Sequence, residues 1–350
     1  MKKITEYTLN ELMDFLISKG AKKFNAKQVW QWFYRKMETN VENMSDLSKK
    51  LRAIISSEID FSPLELHEHH KSSDGTEKFL WKLSDGNLVE SVMIPEKERV
   101  TVCISSQVGC KFRCDFCTTG KMGFTRNLTA GEIVLQVISM QLRSKRRISN
   151  VVYMGMGEPF DNYDNVIKSA NILSDDNGLA IGARKITIST VGKVDGIKRY
   201  TDEDIRYRLA LSLHSPFDDI RSSLMPINNR YSIEEVLDSL ALYCKKSKRR
   251  VVFEYILIDG VTDRRDDADR LKELLSKLPS KLNLIKFHNS PDSKYRCSSN
   301  NRVSNFMKMF NNKDFPVVLR ASRGEDIAAA CGQLGMEEVK KKGRITIEKI

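Results

Sequence analysis

An α/β fold is predicted, a partial TIM-like β/α barrel carrying a small N-terminal helical accessory domain. Two observations predict it. From residue 100 onward, short β-branched runs alternate with amphipathic helical stretches, which implies parallel strands joined by right-handed crossovers. Before residue 60 the apolar residues instead recur at helical spacing. The 350 residues suffice for a large core plus an appended domain.

Residues 1–60 read as three helices. Thr8-Leu-Asn-Glu11 is a capping box ahead of Leu12, Met13, Phe15 and Leu16. Asn25-Ala-Lys-Gln28 opens a second helix holding Val29, Trp30, Trp32, Phe33 and Tyr34, and Leu47, Leu51, Ile54 and Ile55 fit a third. Aromatics at helical spacing are more often core than a base-stacking surface, so the domain is expected to dock RNA as a packed unit. Residues 61–96 form a small β linker, in which 77–94 alternate as strands around the turn Ser84-Asp85-Gly86-Asn87. His67, His69 and His70 precede it and are expected in a solvated loop, because nothing nearby completes a metal site. The core, 97–336, has strands expected at 100–104, 150–154, 185–189, 207–212, 251–258, 283–287 and 316–320. Helices at 129–142, 233–244 and 266–278 lie between some of them. Residues 337–350 make a basic, peripheral tail.

Composition narrows the function classes. At 41% hydrophobic and 30% charged the chain reads as globular and water-soluble. No apolar run approaches the roughly 18–20 residues of a membrane span, and Ile4-Thr5-Glu6-Tyr7 stands where a signal peptide needs an apolar core. A cytoplasmic protein with no membrane partner is expected. Seven cysteines, odd in number and concentrated in one stretch, argue against a secreted disulfide framework. Net charge is +12, with basic runs at Arg143–Arg147, Lys245–Arg250 and Lys340–Arg344. A polyanionic partner is favoured over a merely solvated surface.

The chemistry centres on Cys110-Lys-Phe-Arg-Cys114-Asp-Phe-Cys117. Three thiolates in one loop suit a 4Fe-4S cluster with one iron left open to a small molecule. Structural zinc would need four closed ligands, and no second cysteine pair stands near. In a β/α barrel, functional groups gather at the C-terminal ends of strands. The cysteine loop follows the first predicted strand and Gly155-Met-Gly157-Glu158-Pro159 the second. Ser189-Thr190 ends the third, Ser212-Leu213-His214 the fourth, and His288-Asn289 follows the sixth. Gly324 to Cys331-Gly-Gln-Leu334 follows the seventh. Each has a plainer reading: a glycine turn, a satisfied core histidine, a buried structural thiol such as Cys244 and Cys297 are expected to be. Their shared position favours one pocket.

These stretches, together with Glu90-Ser-Val-Met-Ile-Pro95, Cys103-Ile-Ser-Ser-Gln-Val-Gly-Cys110, Gly123-Phe-Thr-Arg126 and Met225-Pro-Ile-Asn228, resemble the radical-SAM RNA methyltransferases that modify adenosine in 23S rRNA. The likeness runs from about Glu90 to Leu334, and more loosely through the N-terminal helices. It is nearer to the carbon-2 branch, some members of which also act on tRNA, than to the alternative carbon-8 branch. The resemblance implies a 4Fe-4S cluster on Cys110, Cys114 and Cys117 and two molecules of S-adenosyl-L-methionine per turnover. It implies cofactor contacts at Gly157, Glu158, Ser189, Ser212, Leu213, His214 and, by register, His288 rather than Asn289. It implies that Cys331 becomes S-methylcysteine and yields a methylene radical once a deoxyadenosyl radical removes hydrogen. Glu90 then accepts the adduct proton, and Cys103 resolves the adduct through a transient disulfide with Cys331. A monomer served by a small redox protein as electron donor is expected.

Overall fold

The computed structural model describes residues 1–288, 293–311 and 315–335. The tail at 337–350, with its basic run, and Asn289 lie outside the described residues.

Helices Leu9–Ser18, Lys23–Tyr34 and Lys49–Glu58 build the N-terminal domain. Thr8 and Glu11 form the expected reciprocal cap. The second helix starts at Lys23, upstream of the expected opening, because Asn25 Oδ1 reaches back to accept from Lys22 N at 2.9 Å. Trp30, Phe33 and Tyr34 are buried, so the aromatic group is core. Its hydrophobic core is continuous with that of the barrel. Lys168 pairs with Glu11 at 2.8 Å across the junction.

Ten strands form one sheet, here numbered in chain order: β1 Glu65–Lys71, β2 Glu77–Lys82, β3 Leu88–Pro95, β4 Val100–Cys103, β5 Asn150–Tyr153, β6 Ile186–Thr190, β7 Arg208–Ser212, β8 Val251–Leu257, β9 Ser280–Lys286 and β10 Val317–Leu319. Spatial order follows chain order throughout. From β4 to β10 every neighbouring pair is parallel, as the strand–helix alternation requires. β1 to β4 pair antiparallel, so the segment expected as a β linker extends the barrel sheet. His67, His69 and His70 lie on β1, a correction to the expected loop. They alternate with acidic neighbours on an edge strand, where His69 stacks on Phe79 at 4.6 Å and meets Glu77 at 2.8 Å.

The parallel strands begin and end within three residues of their expected positions. β9 starts earliest relative to expectation, at Ser280, because Ser280 and Lys281 pair with Val251 and Val252. The helix Ile233–Ser247 runs past residue 244 and stops where Lys248 turns left-handed at φ 57°. Residues from every strand of β4–β9, with Leu319 and Arg320 at β10, line one cavity of about 960 Å³. The parallel strands therefore curl around a lumen. Among the described residues no pairing joins β10 back to β4, so the barrel is partial. No described helix is long and apolar enough to cross a membrane.

Candidate active site

The three-cysteine loop is closed at its neck by a small antiparallel ladder between Gln107–Gly109 and Phe124–Asn127. Gly109 sits at φ 76°, and a Cβ there would stand 1.9 Å from Gly123 O, so the neck admits only glycine. Cys110 N donates to Gly123 O at 2.8 Å and Cys117 N to Cys114 O at 3.0 Å. Burial pushes the Cys110 thiol up to about 12 and raises that of Cys114 well above its ordinary value. The proximity of Cys117 adds to both shifts, which places the thiols within mutual electrostatic range. Among the described residues no three His, Cys, Asp or Glu side chains converge on a point fit for one metal ion. Three thiolates from one loop can take three separate corners of a cubane.

The glycine loop lies against the end of β4. A Cβ on Gly155 would meet Ile104 O at 2.7 Å, and one on Gly157, at φ 97°, would meet Gln107 Cβ at 2.5 Å. Glu158 is buried, and its carboxylate accepts from Phe160 N at 3.1 Å and Val191 N at 2.9 Å. Desolvation raises it to about 7. Its side chain thus ties the β5 loop to the end of β6, and Gly157 beside it is half-buried.

Ser189 and Ser212 stand at the ends of β6 and β7. Leu213 N and His214 N both donate to Glu254 O. His214 has φ 58° and accepts from Ile256 N at Nδ1, 3.2 Å away. Burial, with the Arg221 cation behind it, lowers His214 to about 3, so the ring is neutral. Its face meets the edge of Phe116 in the cysteine loop, 4.9 Å between centroids. Arg221 was not singled out from the sequence. It is 1% exposed and donates to Leu213 O, Asn228 Oδ1, Val191 O and Ser212 O. It therefore fastens two strand ends to the Met225–Asn228 segment, whose motif was its only sequence signal.

The Cys331 loop docks on two partners at once. Thr118 N donates to Gly332 O at 2.8 Å and Thr119 Oγ1 to Leu334 O at 2.8 Å. Gly335 N donates to Glu90 Oε2 at 2.8 Å. Glu90 is 2% exposed on β3 and lies 3.8 Å from the equally buried Lys78, a partner that a lysine in a strand pattern does not advertise. The surface reading of Glu90 is excluded. Cys331 is reachable by solvent because it faces the open lumen, yet enough protein surrounds it to raise its thiol. Cys103, half-buried at the end of β4, has its thiol pushed up to about 12 by desolvation, and Cys331 is the first charged group that adds to the shift. No disulfide joins any of the seven cysteines among the described residues. Cys244 is buried as expected, whereas Cys297 is half-buried, paired through its backbone with Ile258.

His288 lines the lumen with Nδ1 3.3 Å from Glu325, and burial lowers its pKa. Beside it are Glu254, Asn283 and Arg320, none of which the sequence flagged. Asn283 Nδ2 donates to Glu254 Oε1 at 2.9 Å, and Arg320 lies 3.6 Å from Glu254 Oε2. Glu254 Oε2 and Asn283 Oδ1 have no hydrogen-bond donor. Buried acceptors left open are costly, and a ligand rich in hydroxyl and amino donors, as S-adenosylmethionine is, would satisfy them. The donor set fits both the cluster and the cofactor.

Comparison with known proteins agrees with this geometry. Residues 104–271 match the radical SAM superfamily and residues 3–59 the ribosomal RNA large subunit methyltransferase N-terminal domain. A probable dual-specificity RNA methyltransferase RlmN of Thermotoga maritima is 43% identical over 98% of this chain and 100% of its own. The dual-specificity RNA methyltransferase RlmN of Geobacter sulfurreducens is 43% identical over 93% of this chain and 90% of its own. The crystal structure of a radical SAM methyltransferase from Sphaerobacter thermophilus superposes with a TM-score of 0.91 at 41% identity, covering 96% of this chain and 99% of that one. By whole-length likeness, and with the cysteine loop, glycine loop and Cys331 loop meeting at one barrel mouth, the chain belongs to the dual-specificity RNA methyltransferase family of the radical SAM superfamily.

Proposed function

We propose that the protein methylates carbon 2 of a specific adenosine in 23S rRNA, with tRNA as a second substrate. The docking of the Cys331 loop on both the cluster helix and Glu90 carries this reading. Cys110, Cys114 and Cys117 would hold the 4Fe-4S cluster, whose chemistry is the reductive cleavage of S-adenosylmethionine. The backbone edge at Gly157, with Ser189, Ser212, Leu213, His214 and His288, is assigned to orienting the cofactor. Neutral His214 keeps one N–H for donation, since its Nδ1 already accepts from Ile256.

Carbon 2 of adenine lies between two ring nitrogens and is a poor nucleophile, so the methyl is delivered by way of the protein. The Cys331 thiolate displaces S-adenosylhomocysteine and becomes S-methylcysteine. Joining the methylene carbon to carbon 2 leaves one electron and the ring proton to be removed: the electron would return to the cluster held by Cys110, Cys114 and Cys117, and Glu90 would accept the proton, its carboxylate positioned by Gly335 N–H and Lys78. Cys103 attacks Cys331 Sγ. A disulfide forms, the carbon–sulfur bond breaks, and its electron pair leaves on the methylene carbon, which takes a proton. A reducing thiol pool restores the pair. The target base must leave its stack to reach the barrel mouth, and in a loop or loosely folded RNA this costs only about a few kcal/mol.

The test is anaerobic turnover with methyl-deuterated S-adenosylmethionine and unmodified 23S rRNA, followed by nucleoside mass spectrometry. 2-Methyladenosine with two deuteriums in the new methyl is the expected product. Label at carbon 8 moves the protein to the sister activity, and 5′-deoxyadenosine without methylated nucleoside overturns the reading.

A further inference from the structure

The lumen that opens at Cys331 has a second end, where its wall changes character. Arg184, Arg206, Arg208, Arg249, Arg250 and Lys281 all line it. They stand at the N-terminal ends of four successive strands, β6 to β9, opposite the end that carries the cysteines. Neighbouring strands lie about 4.8 Å apart, so the row spans roughly 15 Å.

None of the six forms an ion pair within 4.0 Å among the described residues, although ion pairs are common elsewhere on the molecule. Among the described residues the only acidic groups in the cavity wall are Glu96 and Glu254, which lie against Arg99 and Arg320 respectively. Lys281 feels the crowding: burial lowers its pKa, and Arg208, Arg320 and Arg250 lower it further, while Glu254 opposes them.

Cations at helix C-termini complement the helix dipole, and this accounts for Arg249 and Arg250 after the helix Ile233–Ser247. It does not account for Arg208 and Lys281, which are strand residues. Like charges gathered without counter-charges destabilise the fold unless an anion is bound.

We infer that this row is a binding site for backbone phosphates of the RNA substrate some nucleotides away from the target base. The inference rests on the RNA methyltransferase reading above. A recessed row admits a thin phosphodiester strand, with its regular charges, more readily than carboxylates on the convex surface of a protein. The same cavity leads to Cys331 from the opposite end, so the phosphates held here belong to nucleotides removed from the base that reaches the thiol.

The triple variant Arg184→Gln/Arg208→Gln/Arg250→Gln changes three exposed side chains that make no ion pair. A control, Arg265→Gln/Arg270→Gln/Lys277→Gln, removes equal charge from the outer helix Arg265–Leu275 and the turn after it. Affinity for an unmodified 23S rRNA transcript is measured between 50 and 200 mM KCl by filter binding. The lumen variant is expected to weaken binding about tenfold and to reduce the slope of log K against log salt by roughly 2, at about 0.7 per lost phosphate contact on a single strand. RNA-independent cofactor cleavage with dithionite stays at the wild-type level. A lumen variant that behaves like the control overturns the inference. So does one that binds RNA normally but loses turnover only when an acidic redox protein replaces dithionite, since the row then serves that protein. Failure of the wild type to methylate RNA instead removes the functional reading on which the inference stands.

Discussion

Cys331 and Cys103 illustrate how burial and reach are balanced at a single residue. Both thiols are raised by their surroundings, so neither is a free-standing nucleophile, and each depends on a partner brought to it. Cys331→Ala is expected to abolish RNA methylation while leaving the brown cluster absorption near about 400 nm unchanged. Cys103→Ala should accumulate a covalent protein–RNA adduct, visible as a shifted band on a denaturing gel. At His214 the prediction concerns pH. Its folded pKa of about 3 lies below the ordinary 6.5, so the unfolded chain binds a proton that the folded chain refuses. Its contribution is complete above pH 6.5 and is lost as pH falls toward 3. Wild-type protein should lose roughly 1–2 kcal/mol more between pH 7.5 and 5 than His214→Gln, measured by urea unfolding.

At the scale of an element, the cluster loop is a device of hydrogen bonds and glycines. Its neck depends on Gly109, and its far side depends on the Cys331 loop through Thr118 and Thr119. Gly109→Ala combines a left-handed backbone with a clash against Gly123 O. It should destabilise the protein by at least roughly 2 kcal/mol and lower iron content after reconstitution. Iron analysis at matched protein concentration, beside a thermal melt, checks both. Arg221 works at the same scale, since one guanidinium satisfies acceptors at two strand ends and on Asn228.

The whole molecule is one curled sheet with a helical domain welded to its flank. The shared hydrophobic core implies that the two unfold together. Trp30 is central to the N-terminal part and fully buried, and Trp30→Ala should cost about 3–5 kcal/mol. A single cooperative transition at lower denaturant is expected for that variant. Two separated transitions, by fluorescence and circular dichroism, would show that the domain folds alone.

Periodicity and spacing in the sequence determined the parallel strands, the helical first domain and the three-cysteine loop, because each is written in neighbouring residues. The placement of the motifs at one end of the barrel also followed, since successive parallel strands repeat one direction. Only the tertiary structure decided that Glu90 is buried beside Lys78, that the histidines of β1 belong to an edge strand, and that Glu158 spends its carboxylate on backbone amides. It alone brought Glu254, Asn283, Arg320 and Arg221 to the site, and gathered unpaired cations at the far end of the lumen. The physical reason is common to all of these. Burial and pairing depend on residues distant in the chain, and a charged side chain has no local pattern that tells whether it will meet water, a partner or a ligand.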